Sequence, residues 1–438
     1  MNCFKSFIGG CFLCLGFVSH SQAQNKAYLS PERVLEIALL NHFDVYLAKT
    51  EVKKAELANN LGNAGITPEI DLTGGYGGSN RNLRQLFVSG NEVNQNNVST
   101  SEFNYALNLS WTLFDGYGMF ARKKALGEQV HLKEWELKQK IQELTIQVLS
   151  IYYLINADYV LLQSMQSLKN AVKTRLDFSQ DKLEKGMGNR QDWLLAKMEW
   201  QRLENECLEL ETKIKNNKVT LLSWMGETQL QTDFDVAETI VINETLLGTF
   251  VSNTSQNPEI KGVQSQLMVS EWMLKNAKGA MLPQIRLGSS YTGIRAESEA
   301  GFLLQNRNNG LNYGITARMP LFAGGQYKAE LRHLDLDNQV AWYQLKFATL
   351  RLDADEIKAY QTLKTYFAIS NTEKVNIELA SELMLLQKER LAVGVVTAIE
   401  SKEAERVFEE SNYRLTRALY LAKMAELELL RARGALLK

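Results

Sequence analysis

The sequence predicts a mixed α and β fold: a tandem-duplicated, long-helix coiled coil that gives four strands per protomer to a shared transmembrane β-barrel. Three observations predict it. Five prolines leave long proline-free tracts; the hydrophobic period changes from helical to alternating at two places; and the two halves of the chain align with each other.

The first element in order is an export signal over residues 1–23. Residues 1–5 carry a lysine, residues 7–18 are largely apolar, and Ser21-Gln22-Ala23 supplies small residues for cleavage. The apolar run is too short to cross a bilayer as a helix. Three of the four cysteines (Cys3, Cys11, Cys14) leave with this segment, so the mature chain keeps only Cys207 and no intramolecular disulfide. Formal net charge is −1, from 49 basic and 50 acidic residues, which with no basic run gives no footing for nucleic acid.

Ser30-Pro31 and Asn257-Pro258 each pair an N-cap residue with proline at the first helical position. Helices are expected from these points to about Ala64 and Ala280, ended by Pro68 and Pro283. The period then changes. Phe103, Tyr105, Leu107, Leu109, Trp111 and Leu113 alternate with small and polar residues, and so do Leu311, Tyr313, Ile315, Ala317 and Met319. Residues 70–78 and 285–294 alternate more weakly. Each run has the length of a tilted membrane strand, with aromatics placed as interfacial girdles. A half-buried strand of a soluble sheet would alternate in the same way; the export signal and the attached helices favour the membrane. The polar segments 79–102 and 297–310 are expected as the loops joining the strands.

Between Gly118 and Glu184 the only glycine is Gly127, and no proline occurs. Leu137, Ile141, Leu144, Val148, Ile151 and Ile155 recur there at alternating steps of four and three, the stripe of a coiled-coil helix. About 67 residues at 1.5 Å rise make a rod of roughly 100 Å. The second half repeats the pattern: Asn41 matches Asn257, Pro68 matches Pro283, Phe114 matches Phe322 and Gly186 matches Gly394. The expected organisation is a first repeat over 24–226, an equatorial linker over 227–256 and a second repeat over 257–438. Four strands cannot close a barrel, and an open edge in lipid leaves backbone groups unpaired. Closure therefore demands several copies, and the pattern leaves two or three open.

On these residues the chain resembles the TolC-type outer-membrane efflux channel family over nearly all its mature length. The matching pieces are Asn257-Pro258-Glu259-Ile260, Ala64…Pro68 with Ala280-Met281-Leu282-Pro283, and Leu113-Phe114-Asp115-Gly116 with Leu321-Phe322-Ala323-Gly324-Gly325. Leu183-Glu184-Lys185-Gly186 and Leu391-Ala392-Val393-Gly394 match the family's two tip turns. The resemblance implies a homotrimer with a shared twelve-strand barrel and a twelve-helix periplasmic tunnel, a coiled-coil barrel. Such a protein is the outer-membrane exit channel of a tripartite efflux or type I secretion system. Its implied partners are outer-membrane lipid, a periplasmic adaptor protein, and an inner-membrane pump or ABC transporter. The adaptor is expected on the turns at Gly186, Met187, Gly394 and Val395. The resemblance also implies a pore constriction at Glu400 and Glu403, with Asp192 as the matching acid after the first turn. Where some members carry an arginine and a tyrosine that tie the mouth shut, this chain has Val396 and Leu391.

Catalysis has no footing. His20, His42, His131 and His333 lack metal-ligand spacing, and no nucleophile-elbow, zinc-helix or phosphate-loop motif occurs. Neither cofactor nor metal is expected. The alternative function, a periplasmic coiled-coil scaffold or chaperone without a pore, explains the helices but not the duplicated strands.

Overall fold

The structure is a computed structural model that describes residues 27–227, 234–236, 239–248, 252, 254–300, 304–393, 395 and 398–436. The expected signal segment 1–23 lies outside the described residues, as does Gly394.

Helix α1 (Pro31–Asn41) opens as expected, with the Ser30 hydroxyl accepting from the Arg33 amide. It does not continue to Ala64. His42 is extended, its Nδ1 accepts from the Asp44 amide, and its ring stacks on Trp224 at 5.3 Å. A second helix, α2 (Phe43–Ala58), starts there. Beyond Ala58 the Asn60 side chain bonds the Leu57 carbonyl and the Asn63 amide, and Gly65 takes φ +78°. Side-chain bonds of this kind compete with the helical ladder, so the helix stops well short of Pro68.

Strands β2 (Glu69–Leu86) and β3 (Glu92–Phe114) form a hairpin whose pairing runs from Glu69↔Ser110 to Leu86↔Glu92. The segment 79–102, expected as a loop, is mostly ladder. Alternation vanishes there because both faces are polar, but backbone pairing needs no apolar side chain. The same correction holds in the second repeat, where β5 (Gln284–Ser298) and β6 (Gln305–Arg318) extend into 297–310.

Between the hairpins come α3 (Gly118–Glu184), α4 (Arg190–Trp224) and then α5 (Pro258–Gly279). The chain ends in α6 (Gln326–Ala392) and α7 (Ala398–Ala432). Helices α3 and α6 both have 67 residues, and α4 and α7 both have 35. The duplication thus extends to element length, and each long helix makes a rod of about 100 Å.

The coiled-coil stripe is the core. Leu144, Val148 and Ile155 are buried, while Leu137, Ile141 and Ile151 lie at the margin of the same cluster. They pack with Val34 of α1, Leu221 of α4 and Leu427 of α7. Burying each such aliphatic side chain contributes about 1.5–3 kcal/mol. A smaller cluster nearer the helix tips joins Leu168, Val172, Leu203, Ala380 and Phe408. Midway, β1 (Ala27–Leu29) pairs in parallel with β4 (Phe234–Val236), and Phe234 is buried in the main cluster. Asp235 accepts from Tyr159 and Lys218, fastening this ribbon to α3 and α4.

The sheet order is β2-β3-β5-β6, antiparallel throughout. Its outer strands, β2 and β6, have no neighbour on their far sides within the described chain.

Candidate functional site: the helical tips and the two-faced sheet

Strand alternation sorts the sheet into two faces. One carries Ile70, Leu72, Leu107, Tyr291, Leu311 and Tyr313, all strongly exposed in the single chain. Register aligns them in rows: Leu72, Leu107, Tyr291 and Leu311 cross the sheet in one line. The opposite face carries Asp71, Asn108, Ser290 and Asn312 in the adjacent line, with Asn108 Nδ2 donating to Asp71 Oδ2 at 2.9 Å. At the helical end the Trp111 indole donates to the Ile66 carbonyl, so its ring is held while its edge is satisfied. A contiguous apolar face this large is a membrane or partner surface.

At the other end, α3 and α4 are joined by a tight turn. Gly186 has φ +69°, and a β-carbon there would meet no atom within 4 Å. The glycine therefore answers to backbone geometry alone. The next residue, Met187, is 74% exposed. Asn189 caps α4 by accepting from the Gln191 amide, and Asp192 sits half-buried in its first turn. In the second tip Val395 is exposed and its amide donates to the Arg390 carbonyl.

Glu400 and Glu403 lie one turn apart at the start of α7, both exposed, on a different hairpin from Asp192. Arg406 pairs with Glu403 at 2.6 Å and also with Glu410. That hydrogen bond holds the Glu403 carboxyl below the usual carboxylate range.

The structure adds links that sequence patterning missed. Arg175 on α3 pairs with Glu405 on α7 at 2.8 Å, and both side chains are almost wholly buried. Burial pushes the Glu405 carboxyl up to about 7, with Arg175 opposing. Arg202 on α4 bridges Glu199 and Glu206 of its own helix and Glu409 of α7. Beside the buried pair a cavity of about 350 Å³ opens, walled by Phe178, Met384, Leu385 and Leu391. These charges cross between the hairpins; Val396 lies outside the described residues. The only available signal was charge within apolar helical stripes, which names no partner.

Residues 34–227 match the family model described as "Outer membrane efflux protein". The chain is 25% identical over 405 residues to the pyoverdine export outer membrane protein OpmQ of Pseudomonas aeruginosa, covering 87% of this chain and 80% of that one. It is 21% identical to the outer membrane protein TolC of Salmonella enteritidis, covering 96% and 84%. Among solved structures, VceC of Vibrio cholerae superposes with a TM-score of 0.78 at 15% identity, covering 92% of this chain and 96% of VceC. CusC gives a TM-score of 0.78 at 18% identity, covering 94% and 95%.

Proposed function

From its place among the TolC-type outer-membrane efflux proteins, we propose that this chain assembles as a homotrimer whose sheets and helices close into one conduit. The chain is an outer-membrane exit channel, with its helical part in the periplasm. One observation carries the assembly of several copies, and likeness to the family sets their number at three: a four-stranded sheet with two open edges and one continuous apolar face, standing on rods of 67 residues. In lipid each unpaired edge group costs several kcal/mol, so β6 of one copy must meet β2 of the next. Three copies give a closed twelve-strand barrel, with the Asp71–Asn108 face lining water and the Leu72–Leu311 face meeting hydrocarbon.

The remaining assignments belong to this proposal. An adaptor docks on the tip turns, at Gly186 and Met187 and at Gly394 and Val395, and delivers cargo from an inner-membrane pump or ABC transporter. The exposure of Met187 and Val395 supports it. Glu400 and Glu403 from three copies ring the periplasmic mouth, with Asp192 set back on the neighbouring hairpin. Their exposure at the start of α7 supports it.

Mass measurement of the detergent-extracted protein, followed by planar-bilayer recording, tests the assembly. The expected result is a trimer with discrete conductance. A stable, non-conducting monomer would overturn it.

A further inference from the structure

The register places Tyr76, Phe103, Arg295 and Arg307 side by side across the four strands. Alternation puts all four on the apolar face, two rows beyond Tyr291 and Leu311. From Leu287 to Arg295 the strand advances about 26 Å, or roughly 20 Å along a barrel axis at ordinary tilt. An apolar barrel band is about 25 Å tall. The arginine row therefore stands at the outer margin of the band, on the hairpin side, away from the helices.

Two arginines directly opposite each other on neighbouring strands repel. Glu297, two residues along the same face, bonds Arg295 at 2.7 Å and also accepts from Gln305. One carboxylate for two guanidiniums leaves one positive charge per chain. Both arginines are exposed, and among the described residues Arg307 makes no direct hydrogen bond or close ion pair, only a longer-range attraction to Glu297. One row nearer the helices, the Tyr105 ring lies over Gly293, in space that a β-carbon would fill. An aromatic floor, a forked cationic pair and an apolar face below form a continuous surface.

We propose that Arg295 and Arg307 bind the phosphate of a phosphorylated glycolipid in the outer leaflet, with its acyl chains lying along Tyr291, Leu311 and Tyr313. Guanidinium forks match phosphate oxygens in geometry as well as charge. A ligand anchored at both ends also offsets the repulsion of the pair. The site goes beyond the conduit reading, because it concerns the lipid that surrounds the barrel and not what passes through it.

The test uses the full assembled protein in detergent, titrated with lipid A, with phosphatase-treated lipid A and with inorganic phosphate, and read by native mass spectrometry. Lipid A is expected to bind at up to three copies per trimer and the dephosphorylated form far more weakly. Arg295→Gln with Arg307→Gln should weaken lipid A binding by about tenfold or more, and Glu297→Gln should strengthen it. Should the double variant fail to assemble, Arg307→Lys keeps the charge but loses the fork, and a partial loss of binding is expected. Wild-type binding in the arginine variants, or equal binding of dephosphorylated lipid A, would overturn the proposal. Full competition by inorganic phosphate at lipid concentrations would overturn the lipid assignment. Trimer mass and conductance in the same samples report separately on the conduit.

Discussion

Arg406 divides its guanidinium between Glu403 and Glu410, so the mouth of the proposed channel carries less negative field than its glutamates alone suggest. Glu403 nevertheless stays ionised below the usual carboxylate range, because the ion pair favours its charged form. Replacing Glu400 and Glu403 by glutamine keeps size and removes charge. Bilayer recordings should then show weaker cation preference and loss of block by a trivalent cation, with assembly unchanged. Arg406→Gln should shift selectivity the other way; no change in either variant would remove these residues from the pore. Glu405 behaves differently. Its folded carboxyl titrates at about 7, above the ordinary 4.5, so folding takes up a proton between those values. This contribution to stability is fullest below about 4.5 and is lost as pH rises through about 7. Amide exchange in the first turns of α7 should quicken over that interval beyond its intrinsic pH dependence. In Glu405→Gln the added dependence should be gone.

At the scale of elements, the two helical hairpins are held together by charge buried among apolar side chains. Arginine cannot shed its proton to escape burial, whereas a glutamate can gain one. Glu405→Leu therefore removes the carboxylate that pairs with the buried Arg175 guanidinium and should cost about 3–5 kcal/mol. Arg175→Met should cost less, since Glu405 then becomes neutral, and the charge-free double variant should approach the wild type. Denaturant unfolding of the assembled protein would order the three; equal losses would count against the pair as the tie between hairpins. The tip turn responds to backbone geometry instead. A β-carbon at Gly186 meets no neighbouring atom, so the cost of Gly186→Val lies in the left-handed backbone, roughly 1–2 kcal/mol for a residue with a β-carbon. Assembly should survive while export falls. Intact export with Gly186→Val would move the docking surface elsewhere.

The whole molecule combines a sheet that needs lipid with rods that need water. A periplasmic scaffold would have no use for a sheet that exposes Leu72, Tyr291, Leu311 and Tyr313 together. Membranes washed in high salt should retain the protein, and detergent should release it. Release by salt alone would contradict the barrel. Among the described helices only α3 contains a window long and apolar enough to cross a membrane, and half of that window is buried within the protein. Its apolar stripe serves the coiled coil.

Much of this architecture was legible in the residues themselves. The spacing from Leu137 to Ile155, the alternation from Phe103 to Leu113 and the pairing of Asn41 with Asn257 are one-dimensional signals, because each reports a local period or a copied segment. They determined the long rods, the alternating strands and the duplication. Strand extent beyond the lipid was not legible, since 79–102 has polar side chains on both faces and pairs through its backbone. Nor was the break at His42, where a ring stacks on Trp224 from another helix. The link between Arg175 and Glu405 spans 230 residues of sequence. Likewise, β3 lies beside β5 although three helices intervene. Those neighbours were decided only by tertiary structure, because which charges and edges meet depends on how distant rods pack, and no local period encodes that.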